Sequence, residues 1–363
     1  MRGLISIYLD IFRFLAALGV FLSHAAQHSA APGVLPAVPI DHKLVIIFFV
    51  ISGYVITASA SRPDRTLANY SADRIARLSS VVVPALLLTY VLDGIGSRFS
   101  PDLYSFIDQR WQSLRLLANL CYCQQIWFLC VNPSSNTPMW SLGYEFWYYV
   151  LFGALIFVRS KWAKILSLLV ISAFIGPKIL LLLPAWAIGS LAYHWRNRWQ
   201  CPYGAAWLLF IVTGLATVLA ITFEDQLGLS NGKSGQPPLY YSSNYGGDLI
   251  FALIVASHFV CCGMLSRHIT RDLEPYKAVK FVRWMASHTF SLYLYHAPLL
   301  FFLRAITKYD AHNLYAVLAA MAGTLLIIAG LSKITEERYP VLRTWLRQWL
   351  GSFAPKPGLA ATR

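Results

Sequence analysis

Charge is the scarcest property of this chain. Only 13% of its 363 residues are Asp, Glu, Lys or Arg, where a soluble domain carries about 25%. Set beside 57% hydrophobic residues, that deficit excludes an ordinary soluble globular protein. Acidic residues are rarer still, 16 against 30 Lys and Arg, for a formal net charge of +14. The basic excess sits in short patches between apolar runs. That pattern fits the positive-inside rule and argues against nucleic acid as a partner. There is no His-Glu-x-x-His and no Cys-x-x-Cys pair, so no metal is expected. A phosphate-cradling Gly-rich loop and a Ser nucleophile elbow are also missing. No segment between apolar runs is long enough to bury a second core. The first run is interrupted by Asp10 and Arg13, unlike a signal h-region, and is expected to be retained. Of the six cysteines, Cys121, Cys123 and Cys130 lie close together. They read as small buried hydrophobes or, in an extracytoplasmic loop, as disulfide candidates.

What is present is a series of apolar runs near the ~20 residues that a membrane-crossing helix needs. About ten are read, roughly 4–27, 43–60, 79–97, 139–158, 162–176, 178–195, 204–222, 246–265, 286–306 and 313–333. The expected fold is an all-α polytopic membrane helical bundle. Arg62, Arg65, Arg74 and Arg77 fall between the second and third spans, and Arg267, Arg271, Lys277, Lys280 and Arg283 between the eighth and ninth. Placing these segments inside puts both termini in the cytoplasm. The transmembrane domain is read as 1–345, followed by a basic, structureless cytoplasmic tail over 346–363. Within the long outer loop 98–138, the stretch 111–129 suits the membrane surface. In the other, 223–245, Tyr240, Tyr241 and Tyr245 suit the headgroup interface or sugar stacking, with the interface preferred.

Ionisable residues inside apolar runs are expensive and therefore candidate functional groups. The first span holds Asp10, Arg13 and His24. Arg13 and His24 are eleven residues apart, about three helical turns, so they share a face roughly 16 Å apart. An Arg can hold a phosphate and a His can act as a base near neutral pH, at a separation near the reach of a pantetheine arm. The alternative is a salt bridge of Arg13 with Asp10 plus one packed histidine. Ser52 and Gly53 allow close helix approach, and Tyr54 adds a hydroxyl. Arg74 and Arg77 share a helix face that suits coenzyme A phosphates, or topological signalling or anionic membrane lipids, with the latter preferred on these residues alone. Glu145 sits among Trp140, Tyr144, Trp147, Tyr148 and Tyr149. It can orient a sugar hydroxyl, partner a histidine, or pair with an arginine. Tyr293 and His296 precede Pro298 in the ninth span.

In order along the chain, these motifs resemble the acyltransferase-3 family of integral-membrane O-acyltransferases. Asp10-x-x-Arg13 with His24 is similar to that family's first-span motif, and Phe48-Phe-x-x-Ser-Gly-Tyr54 to its second-span signature. Arg74-Ile-x-Arg77 with Pro84 resembles its basic loop, and Trp140-Ser-Leu-x-x-Glu145 its fourth-span motif. Ser291-x-Tyr-x-Tyr-His296-x-Pro298 and Thr335-Glu-Glu-x-x-Pro340 resemble its late elements. The resemblance implies a multi-pass bacterial inner-membrane enzyme of the stand-alone exopolysaccharide or glycan O-acetyltransferase type. It implies acetyl-CoA as donor and a polysaccharide or lipid-linked oligosaccharide as acceptor. Arg13, Arg74 and Arg77 then hold coenzyme A, and His24 is the base or is itself transiently acylated. Glu145 orients the acceptor or steadies the histidine, with Asp10, Ser52, Tyr54, Trp140, Tyr293 and His296 around them. Some members carry a fused esterase-like domain. Without it, transfer is completed by the membrane domain or with polysaccharide synthesis and export machinery. The family often has an acidic residue a few positions before the Phe-Phe pair. Here 44–47 are all apolar, which argues against a second carboxylate near His24. The rival class is a glycolipid or solute transporter or flippase, which would consume no thioester.

Overall fold

A computed structural model describes residues 3–29, 34–35, 39–63, 65–196, 198–232, 235–269 and 271–352. Each of the ten expected spans is a helix. They are α1 (Leu4–His24), α2 (Asp41–Ala60), α3 (Leu67–Phe99), α5 (Trp140–Phe157), α6 (Lys161–Ile175), α7 (Pro177–Trp195), α8 (Tyr203–Thr222), α9 (Tyr245–His268), α11 (Thr289–Thr307) and α12 (Leu314–Ile334). Three amphipathic helices complete the set: α4 (Gln112–Leu120), α10 (Lys277–Ser287) and α13 (Tyr339–Ser352). The protein is thus an all-α polytopic membrane protein. Seven segments are long and apolar enough to cross a bilayer by length and composition. Helices α5, α6 and α7 are not among them. Helix α6 has only 15 residues, while Glu145 and several Trp and Tyr dilute α5, and Lys178, Pro184 and His194 dilute α7.

The amphipathic helices expose apolar stripes. Trp111, Leu114 and Leu117 at α4, Phe281 and Trp284 on α10, and Trp345 and Trp349 on α13 are all more than half exposed, or nearly so, as surface-lying helices in a membrane are. Residues 346–352, expected in a structureless tail, instead continue α13. Leu346 packs on Ala72 and Ala76 of α3, and Arg347 pairs with Asp73 at 2.8 Å. The rest of that expected tail, 353–363, lies outside the described residues. The six cysteines are free thiols.

Helix α2 makes its most extensive packing with α7. Two glycines permit it. A Cβ on Gly53 would lie 2.0 Å from the Trp186 carbonyl oxygen, and one on Gly189 would lie 2.0 Å from that of Val50. The two backbones therefore touch, as small residues allow between membrane helices. On the face opposite the basic loops, Lys43 of α2 is buried and bonds Asp248 of α9 at 3.0 Å and the Leu229 carbonyl at 2.8 Å. His42 reaches the same carboxylate at 2.8 Å. At the joint between α6 and α7, Gly176 takes φ +78°, and Pro177 opens the next helix, a position where its missing N–H costs nothing.

Gly53→Ala and Gly189→Ala should each destabilise the fold by about 1–3 kcal/mol or more, as overpacking does. Gly94, with no atom within 4 Å of its would-be Cβ, should tolerate Ala. Melting temperatures of the detergent-solubilised variants check this.

Candidate active site

Several ionisable residues of the spans line two cavities. The first, about 450 Å³, opens among α1, α2, α3, α5, α10 and α11. Four arginines line it, Arg13, Arg74, Arg77 and Arg283, against two carboxylates, Asp10 and Glu145. Three of the four are engaged by carboxylates. Arg13 donates to Asp10 at 3.1 Å and to the Ala286 carbonyl at 3.2 Å. Arg283 donates to Asp10 and, at 2.7 Å, to Glu274. Arg77 donates to Glu336 at 2.7 Å, and Glu336 also accepts the Ser291 N–H at 2.8 Å. Arg74 differs. It lies over the Tyr149 ring at 5.8 Å, and its buried Nε has no hydrogen-bond partner among the described residues. A half-buried guanidinium so placed is a fitting receptor for a phosphate or pyrophosphate.

One wall of this cavity is a directional chain of hydrogen bonds. Trp186 Nε1–H donates to Ser52 Oγ at 3.1 Å, and Ser52 meets the Tyr149 hydroxyl at 3.2 Å. Tyr149 donates to Glu145, one turn back on α5. With both ends of the Tyr149 hydroxyl fixed, the Ser52 hydroxyl is the donor between them. Toward α11 the cavity is closed by Tyr293, which donates to the Pro138 carbonyl at 2.9 Å and lies 2.8 Å from Ser141 Oγ.

The second cavity, about 470 Å³, is lined by His24, Asp102, Phe106, Ser135, Thr137 and Phe301, among others. Here His24 meets His296, with Nδ1 2.9 Å from Nε2. His296 Nδ1 lies 2.9 Å from the Leu292 carbonyl oxygen. A carbonyl only accepts, so Nδ1 of His296 carries its proton and Nε2 of the neutral ring accepts from His24 Nδ1–H. His24 Nε2 is left as the basic nitrogen. Asp41 Oδ2 lies 3.7 Å from it, and Asp41 is itself held by Ser23 at 3.3 Å and Gln27 at 3.2 Å. Immediately after His24 the helix widens into a π-turn over Ala25–Ser29, a distortion frequent at functional sites.

The placement of the expected residues is therefore divided. Asp10, Arg13, Ser52, Arg74, Arg77, Glu145 and Tyr293 line the arginine cavity. His24 does not; it lines the other cavity, with His296 behind it. Arg13 and His24 thus line different cavities, while Tyr293, bonded to Pro138 and Ser141, ties α11 to the start of α5 beside the first. Glu145 serves Tyr149 and not the histidine. The carboxylate at His24 is Asp41, which overturns the expectation drawn from apolar residues 44–47. Helix α2 begins two residues earlier than expected, at Asp41, which turns toward α1. Tyr54 lines neither cavity and packs against Tyr193 at a ring distance of 5.5 Å. Trp140 also lines neither; it stacks on Tyr241 at 4.0 Å. That stacking leaves Tyr241 half-buried, while Tyr245 is 48% exposed. Arg283 and Asp41 are not among the sequence candidates for the site; they meet Asp10 and His24 from other helices, so no local spacing marks them.

A polytopic helical bundle with an arginine-lined cavity on one side of a histidine–carboxylate pair defines a membrane protein built to handle an anionic ligand. The chain belongs to the acyltransferase-3 family: the family's acyltransferase domain matches residues 6–333. It is a membrane acyltransferase. An O-acetyl transferase of Shigella phage Sf6 is 25% identical over 342 residues, covering 91% of this chain and 95% of that protein. Peptidoglycan O-acetyltransferase OatA of Listeria monocytogenes is 24% identical over 368 residues, covering 89% of this chain but only 54% of OatA. No solved structure matches the chain.

If His296 fixes the His24 tautomer, His296→Phe should slow acyl transfer without changing KM for the donor. The loss should be smaller than the about 10²–10⁴-fold that removal of a general base costs. Rates at saturating donor, measured with KM, check this.

Proposed function

We propose that this chain takes an acetyl group from cytoplasmic acetyl-CoA and delivers it to a glycan hydroxyl at the opposite face of a bacterial inner membrane. The observation that carries this reading is Arg74, a half-buried arginine with no carboxylate partner among the described residues, beside Arg13 and Arg77 in one cavity. The names of the two relatives support O-acetylation, and the basic residues of the connecting segments support the orientation. The acceptor is a polysaccharide or lipid-linked oligosaccharide, and synthesis or export machinery is the expected source of it. The core of the enzyme is 1–345, with α13 packed on it.

In this mechanism Arg13, Arg74 and Arg77 hold the coenzyme A phosphates by charge-assisted hydrogen bonds. The thioester points toward Tyr293 and Ser141, whose side chains move aside to let it reach the histidine. His24 Nε2 takes the proton of the acceptor hydroxyl as that oxygen attacks the thioester carbonyl. The carbon–sulfur bond breaks, and the proton passes to the departing thiolate. Asp41 stabilises the imidazolium between those steps. His296 holds the ring, and Glu145, through Tyr149 and Ser52, shapes the donor cavity.

Purified His24→Ala should lose acyl transfer by about 10²–10⁴-fold while still binding acetyl-CoA. Near wild-type transfer would remove His24 from the mechanism.

Arg74→Ala should weaken acetyl-CoA binding by about 10–100-fold, the worth of one lost charge-assisted hydrogen bond of about 1.5–3 kcal/mol. Titration calorimetry in nanodiscs measures it, and unchanged affinity would reassign the cavity.

A further inference from the structure

The second cavity has a chemistry opposite to the first. No Lys or Arg is among its lining residues, and its charged group is the exposed carboxylate of Asp102. Such a site disfavours phosphates and other anions. Beside Asp102 stand the rings of Phe106 and Phe301, 5.3 Å apart and tilted by 38°. Phe106 is 54% exposed although it is large and apolar. An aromatic face next to an acceptor-only carboxylate matches the two surfaces of a sugar, its apolar C–H face and its hydroxyl edge. The volume, about 470 Å³, falls within the about 300–1,000 Å³ of small-molecule sites.

The frame around these residues is rigid. Tyr104, on the turn Pro101–Tyr104, is buried, and its hydroxyl lies where a Cβ on Gly96 would stand, 2.3 Å away. Ser100 Oγ ties the same turn to the Ala305 carbonyl at 3.1 Å. Ser135 is fixed by its N–H and Oγ to the two oxygens of Asp93, at 2.9 and 2.8 Å. A site held this way needs little ordering when a ligand arrives. His24 supplies its reactive wall.

We propose that this cavity is the acceptor site, that it takes one uncharged hexose ring, and that Asp102 and Phe106 hold that ring with a hydroxyl toward His24. The proposal rests on the acyl-transfer reading above. The test uses the full chain in nanodiscs, radiolabelled acetyl-CoA, and octyl β-D-glucopyranoside as probe acceptor. Octyl glucuronide serves as its anionic counterpart. Asp102→Asn and Phe106→Ala should each raise KM for the glucoside at least about tenfold and leave KM for acetyl-CoA within about twofold. The glucuronide should be the poorer acceptor, and Asp102→Asn should narrow that gap. An unchanged glucoside KM in both variants overturns the site. So does a wild-type protein that consumes acetyl-CoA in a His24-dependent way yet never labels the glucoside. His24-independent or absent consumption of acetyl-CoA strikes instead at the donor reading beneath it.

Discussion

The bundle depends on one constraint: a charge placed among membrane helices must be matched there. Removing an ion from water costs several kcal/mol, and lipid offers nothing in return. The carboxylates that face the bundle meet that cost with partners distant in sequence. Asp10 of α1 holds Arg283 of α10. Asp73 of α3 holds Arg65 and Arg347. Asp248 of α9 holds Lys43 of α2. Glu336 bridges Arg77 and the Ser291 amide. Each pair fixes two helices in register, so charge matching and helix placement are one problem with one solution. Against that background Arg74 is informative, because it shares the same cost and has only an aromatic face beneath it.

Close packing then decides where the matched and unmatched charges stand. The glycine contact between α2 and α7 brings Trp186 to Ser52. From there the hydrogen bonds run through Tyr149 to Glu145, so the wall of the arginine cavity is set by backbone approach as much as by polar chemistry. At the other end of α2, Asp41 is carried to His24. One helix therefore serves both cavities, and its tilt cannot change in one without disturbing the other.

Much of this was legible in the chain. Apolar runs located the helices, because a bilayer leaves the backbone few alternatives to internal hydrogen bonds. Spacings of three marked Asp10 with Arg13 and Arg74 with Arg77, since those are relations within one helix. What escaped was contact between helices. Asp41 lies seventeen positions beyond His24 in the sequence, across residues that carry no periodic signal. Arg283 joins Asp10 from the far end of the chain. The stacking of Tyr241 on Trp140 likewise joins distant segments. Arg13 and His24, eleven residues apart, stand on one continuous helix. A shared helix does not guarantee a single cavity, however, and the two residues line different ones.

That division has a chemical consequence in the proposed reaction. The donor is a polyanion and its cavity is rich in arginine; the proposed acceptor is neutral and its cavity holds a carboxylate. In one continuous chamber the arginines would draw Asp102 and Asp41 into ion pairs, and neither cavity would keep its sign. In the proposed reaction Tyr293 and Ser141, a neutral hydrogen-bonded pair lining the first cavity, are the partition that the donor must pass. In that reading the pair also keeps water from an arriving thioester, where hydrolysis competes with transfer. Opening it only when the donor is seated couples the two halves of the reaction. His24 is suited to that junction. Its Nδ1 is committed to a buried neighbour, so the nitrogen that remains basic is the one near Asp41, and the proton it takes is stabilised there.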